Sequence, residues 1–380
     1  MGKGKKKMQL RKMKIIFSTY DDKYNPHYGG GGAIAIHELA KRLALKNDVT
    51  VLTGKYPGCK SKIIDKVEYK RIGLSMTGPK IGQLIYQFLL PFYVLSSKFD
   101  IWIESFTPPF STACLQLFTK KPVIGLTHLL AAKDMSKKYW GIPFTFFERI
   151  GLKTYKYIIV LSEYLKNKIQ DANKNILIKV IPNGIGKNLI NQKPITNGKY
   201  ILFIGRIDIE QKGLDMLLSA YKFVEKKINV PLLIAGSGAK KEENFLKKQI
   251  CRLGLQRKVK YVGKVSGKKK IEVFKNSMFI VLPSRFESFP ITILESFCFG
   301  LPVLIFDIPQ LQWVSEKYCV RIISFDEKAY GEGILKLSKD NERRISMGKE
   351  AKKIVRKYSW SNIVSQYEFF FEEILSKIQA

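Results

Sequence analysis

The sequence has few of the residues that build cross-links, metal sites and membrane spans. Its 380 residues include five cysteines, an odd number, scattered along the chain. Their spacing suggests neither a metal-binding motif nor a disulfide framework, so we expect reduced thiols in a cytoplasmic setting. No run of 18 apolar residues occurs, so no ordinary transmembrane helix is expected.

Acidic residues are also scarce. Asp and Glu number 32 against 66 Lys and Arg, which gives a net charge of +34. Such a charge favours polyanionic partners: nucleic acid, an anionic membrane surface or phosphorylated ligands. Only twelve of the basic residues are Arg, the residue most used to read base edges, which argues mildly against sequence-specific nucleic-acid binding. A solvated lysine-rich surface without a polyanionic partner is an equally good interpretation.

The basic residues begin at the amino terminus, with MGKGKKKMQLRKMK. This segment is similar in charge to the start of a signal peptide, but the apolar stretch that follows it is far too short. We therefore interpret residues 1–12 as a basic arm, expected to be disordered.

The length predicts two domains, because 380 residues exceed one ordinary core. The first begins with a strand at Met13–Tyr20, a loop with four consecutive glycines, an amphipathic helix and a second strand at Val49–Gly54. This order is typical of a doubly wound α/β fold. The loop lacks the GxGxxG pattern of dinucleotide sites. Its glycines would let the backbone approach a ligand closely, although a merely flexible loop explains them nearly as well.

A second α/β set follows a polar linker, and its most informative stretch is LPSRFESFPITILESFCFGLP, residues 282–302. It predicts the end of a buried strand, a polar turn with Glu287, and a helix with Pro290 as its first residue and Glu295 in its second turn. The free N–H groups of Ile291 and Thr292 would attract an anion. A structural alternative remains open, because Thr292 and Glu295 also fit a capping box.

Three segments of the second half together resemble the retaining GT-B-fold glycosyltransferases of family 4. They are FIGRIDIEQKGLD, LLIAGSG followed by VKYVGKV, and RFESFPITILESFCFGLPVLIFDIP, in which the two glutamates are eight residues apart. The resemblance implies an α/β protein of two Rossmann-like parallel-sheet domains that face each other across a cleft. It implies an acceptor domain at 13–185, a donor domain at 198–357 and a terminal helix at 358–380 that returns to the first domain.

The resemblance also implies roles for individual residues. Arg206 and Lys212 would hold the diphosphate of a nucleotide sugar, Glu295 the ribose hydroxyls, and Glu287 the donor sugar. His128 matches the histidine with which members of this family contact the donor sugar. The resemblance therefore makes His128 and Glu287 the candidate catalytic residues. Ser288, Phe289 and Pro290 stand where Gly-Phe-Gly is commoner, which leaves the donor sugar open. The remaining donor-binding candidates are Gly30, Gly31, Gly32, Val262 and Gly263.

The expected activity is transfer of a hexose from a UDP- or GDP-sugar to an acceptor hydroxyl, with retention and without a metal or other cofactor. Lysines and aromatics between Lys133 and Phe147 suit a membrane interface, although packing under a loop explains them better. They suggest a lipid-linked or membrane-surface glycan as acceptor, for a cytoplasmic protein peripheral to the inner membrane face. The alternatives are a non-enzymatic basic nucleic-acid-binding protein, which the motifs do not favour, and a GT-B sugar-nucleotide epimerase.

Overall fold

The computed structural model describes residues 12–25, 30–76, 78–106, 111–128, 130, 132, 136 and 143–379. The predicted basic arm lies outside these residues except for Lys12. So do Lys133, Lys137, Lys138, Tyr139 and Trp140 of the predicted membrane segment. The described chain divides into two compact units. Unit 1 comprises residues 1–181 and 364–380, and unit 2 comprises residues 182–363.

Unit 1 is built on an eight-stranded sheet in the described part of the chain. Its strand order is β3-β4-β2-β1-β5-β6-β7-β8, and all neighbouring strands are parallel except β3 and β4. The strands are β1 Lys14–Ser18, β2 Asp48–Gly54, β3 Lys62–Ile64, β4 Val67–Ile72, β5 Ile101–Ser105, β6 Val123–Thr127, β7 Tyr157–Val160 and β8 Leu177–Val180.

The helices of unit 1 cover the sheet and connect its strands. They are α1 Gly31–Leu43, α2 Gly78–Ser96, Phe144–Thr154 and Glu163–Gln170, with a short 3-10 turn at Leu115–Phe118. A core cluster joins the inner face of α2 to the sheet, through Tyr86, Leu90 and Val94 against Trp102 and Ile158. All ten residues of β5 and β6 are buried, as expected of strands covered on both faces.

Unit 2 contains a fully parallel sheet with the order β11-β10-β9-β12-β13-β14 among the described residues. Its strands are β9 Tyr200–Ile204, β10 Leu232–Ala235, β11 Val259–Tyr261, β12 Ser277–Leu282, β13 Val303–Phe306 and β14 Cys319–Ile322. Its helices are Lys187–Ile190, Ile209–Lys212, Leu214–Val224, Lys240–Arg252, Gly267–Lys275, Ile291–Cys298, Glu327–Lys339 and Asn341–Ile354, with 3-10 turns at Glu225–Lys227, Pro309–Leu311 and Val355–Tyr358. The last helix, Trp360–Gln379, passes from unit 2 into the part of the chain that groups with unit 1.

These two sheets confirm the predicted α/β architecture of two Rossmann-like parallel-sheet units. The strand order also locates where ligands bind in such folds. In unit 2 the chain moves outward from β9 first to β10 and β11, then returns to place β12 on the other side of β9. This reversal makes the loops after β9 and β12 the topological switch point, outside the carboxyl ends of the strands. In unit 1 the same reversal lies between β1 and β5.

The structure differs from the local sequence pattern in three places. The apolar stretch at residues 82–98 predicts a core helix interrupted at Pro91, but α2 continues through Pro91. The strands β3, β8 and β14 were not predicted, and each is only three or four residues long. Pro290 was predicted as the first helical residue, but it is the N-cap with extended backbone, and the helix begins at Ile291.

Candidate functional site

The loop that follows β9 in unit 2 holds the predicted phosphate-binding cations. Arg206 is 61% exposed, with its Nη2 bonded to Gln211 Oε1 and 3.5 Å from Asp208 Oδ2. The loop is held in this shape by a short helix, Ile209–Lys212, whose N-cap Asp208 accepts a hydrogen bond from the Gln211 N–H at 2.9 Å. The guanidinium group is therefore oriented by neighbours on its own loop while remaining open to solvent.

Unlike Arg206, Lys212 is paired with a carboxylate from another loop, the one that follows β12. Its Nζ lies 2.6 Å from Glu287 Oε1, and the two side chains are only 14% and 5% exposed. Ser284 donates a further hydrogen bond to the same oxygen at 2.7 Å. The structure thus joins two residues predicted to bind different parts of the donor, and it confirms that Glu287 lies in the turn after β12.

Close backbone packing brings the loops after β9 and β12 together. Gly213 has a φ of +62°, and a Cβ at this position would lie 2.0 Å from the carbonyl oxygen of Pro283. A side chain would therefore separate the loops. Arg285 reinforces the contact: its N–H donates to the Gln211 carbonyl at 3.0 Å, and its guanidinium binds both carboxylate oxygens of Asp215, at 2.9 and 2.6 Å.

Glu295 lies in the second turn of the helix Ile291–Cys298, as predicted. Its carboxylate accepts a hydrogen bond from Lys270 Nζ at 2.5 Å, and its side chain is 11% exposed. The capping-box alternative is wrong, since Thr292 lies inside the helix and its hydroxyl donates to the Ile204 carbonyl at 3.4 Å. That bond ties the start of the helix to the end of β9, beside the switch point.

The other predicted donor-binding residues of unit 2 lie in two loops, with Val262 and Gly263 after β11 and Ser288, Phe289 and Pro290 after β12. Phe289 is buried, and its ring stacks on Trp313 with centroids 4.4 Å apart. Val262 donates its N–H to the Ile234 carbonyl, and the Gly263 carbonyl accepts from Gly236. Gly263 has a φ of +71° and open space where a side chain would stand. Ser288 is partly exposed beside Phe289 and Pro290.

In unit 1 the glycine loop forms the start of α1 and lies beside His128. Gly30 is the N-cap of α1, and Gly31 and Gly32 are its first two residues. A Cβ on Gly32 would lie 3.7 Å from the His128 ring, at the end of β6. Among the described residues the buried Nε2 of His128 has no hydrogen-bond partner, and burial lowers the pKa of His128 to about 4. His128 is therefore neutral at pH 7.

Two carboxyl groups of unit 1 have raised pKa values. Asp21 Oδ2 lies 3.7 Å from where a Cβ of Gly30 would stand, and burial raises the pKa of Asp21 to about 6. Glu104, at the end of β5, is 1% exposed and accepts hydrogen bonds from the Ala113 N–H at 2.5 Å and from the Tyr155 hydroxyl. Burial raises the pKa of Glu104 to about 7. These bonds attach the segment after β5 to the sheet.

Sequence reasoning missed Asp21 and Lys270 as neighbours of the predicted site. Asp21 precedes the glycine loop and could have been found from its position after β1. Lys270 offers no such signal, because it is one of 66 basic residues and stands 25 positions from Glu295. No cluster of three His, Cys, Asp or Glu side chains suited to a metal ion occurs within the described ranges.

Comparison with known proteins agrees with this architecture. The family model described as "Glycosyltransferase Family 4" matches residues 29–188, and that described as "Glycosyl transferases group 1" matches residues 187–354. The phosphatidyl-myo-inositol mannosyltransferase of Mycobacterium leprae is 29% identical over 214 residues, which are 52% of this chain and 55% of that protein. The matched regions cover 55% to 60% of the length of the first curated relatives.

Solved structures share the fold at low sequence identity. Sucrose-phosphate synthase from Thermosynechococcus elongatus superposes with a TM-score of 0.83 at 17% identity, over 96% of this chain and 100% of that one. Anabaena Alr3699/HepE in complex with UDP-glucose superposes with a TM-score of 0.72 at 17% identity, with the same coverage of both chains. From the two adjoining family models and the two parallel-sheet units, the chain belongs to the family 4 type of GT-B glycosyltransferases.

Proposed function

We propose that this protein transfers a hexose from a nucleotide-diphosphate sugar to an acceptor hydroxyl. The observation that carries the proposal is the convergence of opposite charges at the unit 2 switch point. The exposed Arg206 and the Lys212–Glu287 pair lie on loops that pack against each other, and Glu295 lies on the helix that starts beside them. A nucleotide sugar offers matching groups: a diphosphate for the cations, and hydroxyls for the carboxylates.

The cations supply the electrostatic part of the reaction. As the bond from the sugar to the diphosphate breaks, negative charge grows on the leaving group, and fixed cations stabilise that charge. Lys212 would contact the diphosphate while keeping its bond to Glu287, because an ammonium group has three donors. We assign Arg206 and Lys212 this role in place of a metal ion.

Glu287 serves in this proposal as a sugar-binding and electrostatic residue, and Glu295 as the acceptor of ribose hydroxyl hydrogen bonds. Retention then follows from attack of the acceptor oxygen on the same face of the sugar that the diphosphate leaves, with no protein nucleophile. The bond from the sugar to the diphosphate breaks as the new bond forms, and the leaving diphosphate oxygen takes the proton of the acceptor hydroxyl. The neutral His128 would donate or accept one hydrogen bond to a sugar hydroxyl, with Gly30, Gly31 and Gly32 allowing close backbone approach.

The names of two similar proteins support a choice of donor and acceptor in this proposal. A solved relative holds UDP-glucose, which supports a UDP-sugar, and a GDP-sugar remains the other candidate. One curated relative is named a phosphatidyl-myo-inositol mannosyltransferase. Together with the net charge of +34, that name supports a lipid-linked or membrane-surface acceptor.

A panel of UDP-, GDP- and ADP-sugars tested by thermal shift is the direct experiment. We expect one sugar nucleotide to raise the melting temperature, and Glu295→Ala to abolish the shift. An unchanged shift in Glu295→Ala would show that the carboxylate is misassigned.

NMR of the product then reports the anomeric configuration, and EDTA should leave the rate unchanged. Free nucleotide and free sugar without a glycosylated acceptor would support an epimerase, and steeply salt-dependent oligonucleotide binding without turnover a nucleic-acid-binding protein.

A further inference from the structure

The turn that carries Glu287 in unit 2 is held on two sides. On one side Lys212 Nζ binds Glu287 Oε1 at 2.6 Å. On the other side Phe289, which is 4% exposed, stacks on Trp313 with ring centroids 4.4 Å apart and planes inclined at 18°. Ser288 lies between these two fixed neighbours and is partly exposed. The Phe289 ring therefore helps to fix the backbone on which Ser288 stands.

Trp313 belongs to a different loop, the one that follows β13. Since β12 and β13 are parallel neighbours, the loops after them leave the sheet at the same edge. The indole Nε1 is buried and has no hydrogen-bond partner among the described residues, so stacking orients the ring. Tyr358 completes the aromatic contact, with its centroid 5.9 Å from that of Trp313 and 6.1 Å from that of Phe289. The three rings come from three separate segments of unit 2.

The loop of Trp313 is held in place by Arg321, which lies on β14. The Arg321 guanidinium binds Asp307 Oδ1 at 3.0 Å and donates to the carbonyl oxygens of Leu311, at 2.9 Å, and Val314. Its side chain is only 12% exposed. A guanidinium offers five N–H donors in a rigid fork, so one side chain can fix several points of a loop. The loop is therefore a firm support for the indole.

We propose that Trp313 is a positioning residue for the donor sugar, which acts by holding Phe289 and with it the turn from Glu287 to Pro290. The inference rests on the proposed function, in which Glu287 faces the sugar. The nucleotide is bound by other groups in that proposal, Arg206 and Glu295 among them. Loss of the indole should therefore weaken recognition of the sugar while it spares the nucleotide.

Titration calorimetry on the full chain tests this selectivity, with UDP-glucose compared with UDP, and GDP-mannose compared with GDP. For the pair that the parent binds, Trp313→Leu should raise the dissociation constant of the sugar nucleotide about ten-fold and that of the free diphosphate less than about two-fold. Trp313→Phe keeps a ring against Phe289 and should bind like the parent. Equal weakening of both ligands in Trp313→Leu would indicate a merely structural role and overturn the proposal, as would parental binding of both.

Tyr221→Leu is the matched control for the loss of a buried ring. Tyr221 is fully buried in the same unit, and its hydroxyl donates to the Val230 carbonyl at 2.7 Å. We expect both Leu variants to unfold at lower urea concentration than the parent, but Tyr221→Leu should keep both dissociation constants. If Tyr221→Leu shows the same selective loss as Trp313→Leu, the effect does not come from the contact with Phe289 and the proposal is overturned.

Two further variants do not require Trp313→Leu to fold. Arg321→Met releases the loop while it keeps the indole, and should give a smaller loss with the same selectivity. Phe289→Leu removes the other ring of the stack and should show the selective loss as well. Affinity for both ligands at the parental level in these two variants would overturn the positioning role alone. A parent that binds none of the four nucleotides would instead overturn the proposed function, and this inference with it.

A double-mutant cycle measures the contact itself. Because Phe289→Leu and Trp313→Leu break the same stack, their effects on the affinity for the sugar nucleotide should not add. The double variant Phe289→Leu/Trp313→Leu should bind about as weakly as either single variant. Losses that multiply would show that the two rings act independently, which contradicts the proposal.

Discussion

Lys270 and Glu295 form an ion pair across two helices of unit 2, with Nζ 2.5 Å from Oε1. The lysine side chain is 34% exposed and the carboxylate 11%. The carboxylate that is proposed to bind ribose is therefore held by a cation before any nucleotide arrives. Only Oε1 takes part in this bond, so Oε2 can accept a ribose hydroxyl while Lys270 fixes the orientation of the group.

Replacing Lys270 should weaken binding of the sugar nucleotide. In Lys270→Met the Glu295 carboxylate loses a charge-assisted hydrogen bond of about 1.5–3 kcal/mol, and its orientation with it. We expect the dissociation constant for the best nucleotide to rise about ten-fold, as measured by titration calorimetry. Lys269→Met is the control, because Lys269 is exposed on the same helix. If both variants bind like the parent, Lys270 does not position Glu295 for the ribose.

The Lys212–Glu287 pair allows stability and activity to be separated. Removing one partner of a largely buried pair leaves the other unpaired, so Lys212→Met should lower the free energy of unfolding by about 3 kcal/mol. The double variant Lys212→Met/Glu287→Gln removes both charges and should recover most of that loss in urea denaturation. It should still transfer no sugar, because the charge facing the diphosphate is gone. A double variant with parental activity would contradict the proposed role of Lys212.

His128 is expected to act as a neutral hydrogen-bonding group. Because burial holds the pKa of His128 near 4, the folded protein keeps it uncharged between pH 5 and 8. His128→Ala should lower kcat about 100-fold without changing the affinity for the nucleotide. His128→Asn, which retains a side-chain hydrogen-bond donor and is never charged, should keep more of the activity. Equal losses in the two variants would argue that the imidazole ring itself is required.

Glu104 should make the protein less stable as the pH rises. Burial raises the pKa of Glu104 to about 7 from its ordinary 4.5, so between these values the unfolded chain has released a proton that the folded chain still holds. The free energy of unfolding therefore falls through this window, by about 3 kcal/mol from this residue. In Glu104→Gln the fall between pH 4.5 and pH 7 should be smaller, as measured by urea denaturation at each pH.

An exposed glutamate provides the control for that titration. Glu163 is 68% exposed at the side chain, and Glu163→Gln should leave the pH dependence of stability unchanged. If Glu104→Gln shows the parental slope as well, the carboxyl group of Glu104 does not hold its proton to neutral pH.

The sequence alone determined the type of fold and the local backbone around Glu287 and Glu295, a turn followed by a helix. Alternating apolar strands and amphipathic helices specify parallel sheets, because both faces of such strands must be buried. The motif around Glu287 and Glu295 could be predicted because its residues are close in the chain and directly follow a strand. Local geometry then determines the turn and the helix. Short strands such as β3 were missed because three residues carry too little pattern.

Only the tertiary structure decided which charges meet. The Lys212–Glu287 and Lys270–Glu295 pairs join residues 75 and 25 positions apart, and no local pattern distinguishes these lysines among 66 basic residues. The exposure of α2 was decided in the same way. Apolar residues occupy nearly all sides of this helix, which favours a core segment. Packing against the sheet buries Tyr86, Leu90 and Val94, while other apolar side chains of α2 remain in solvent. Burial is a property of neighbours from distant parts of the chain.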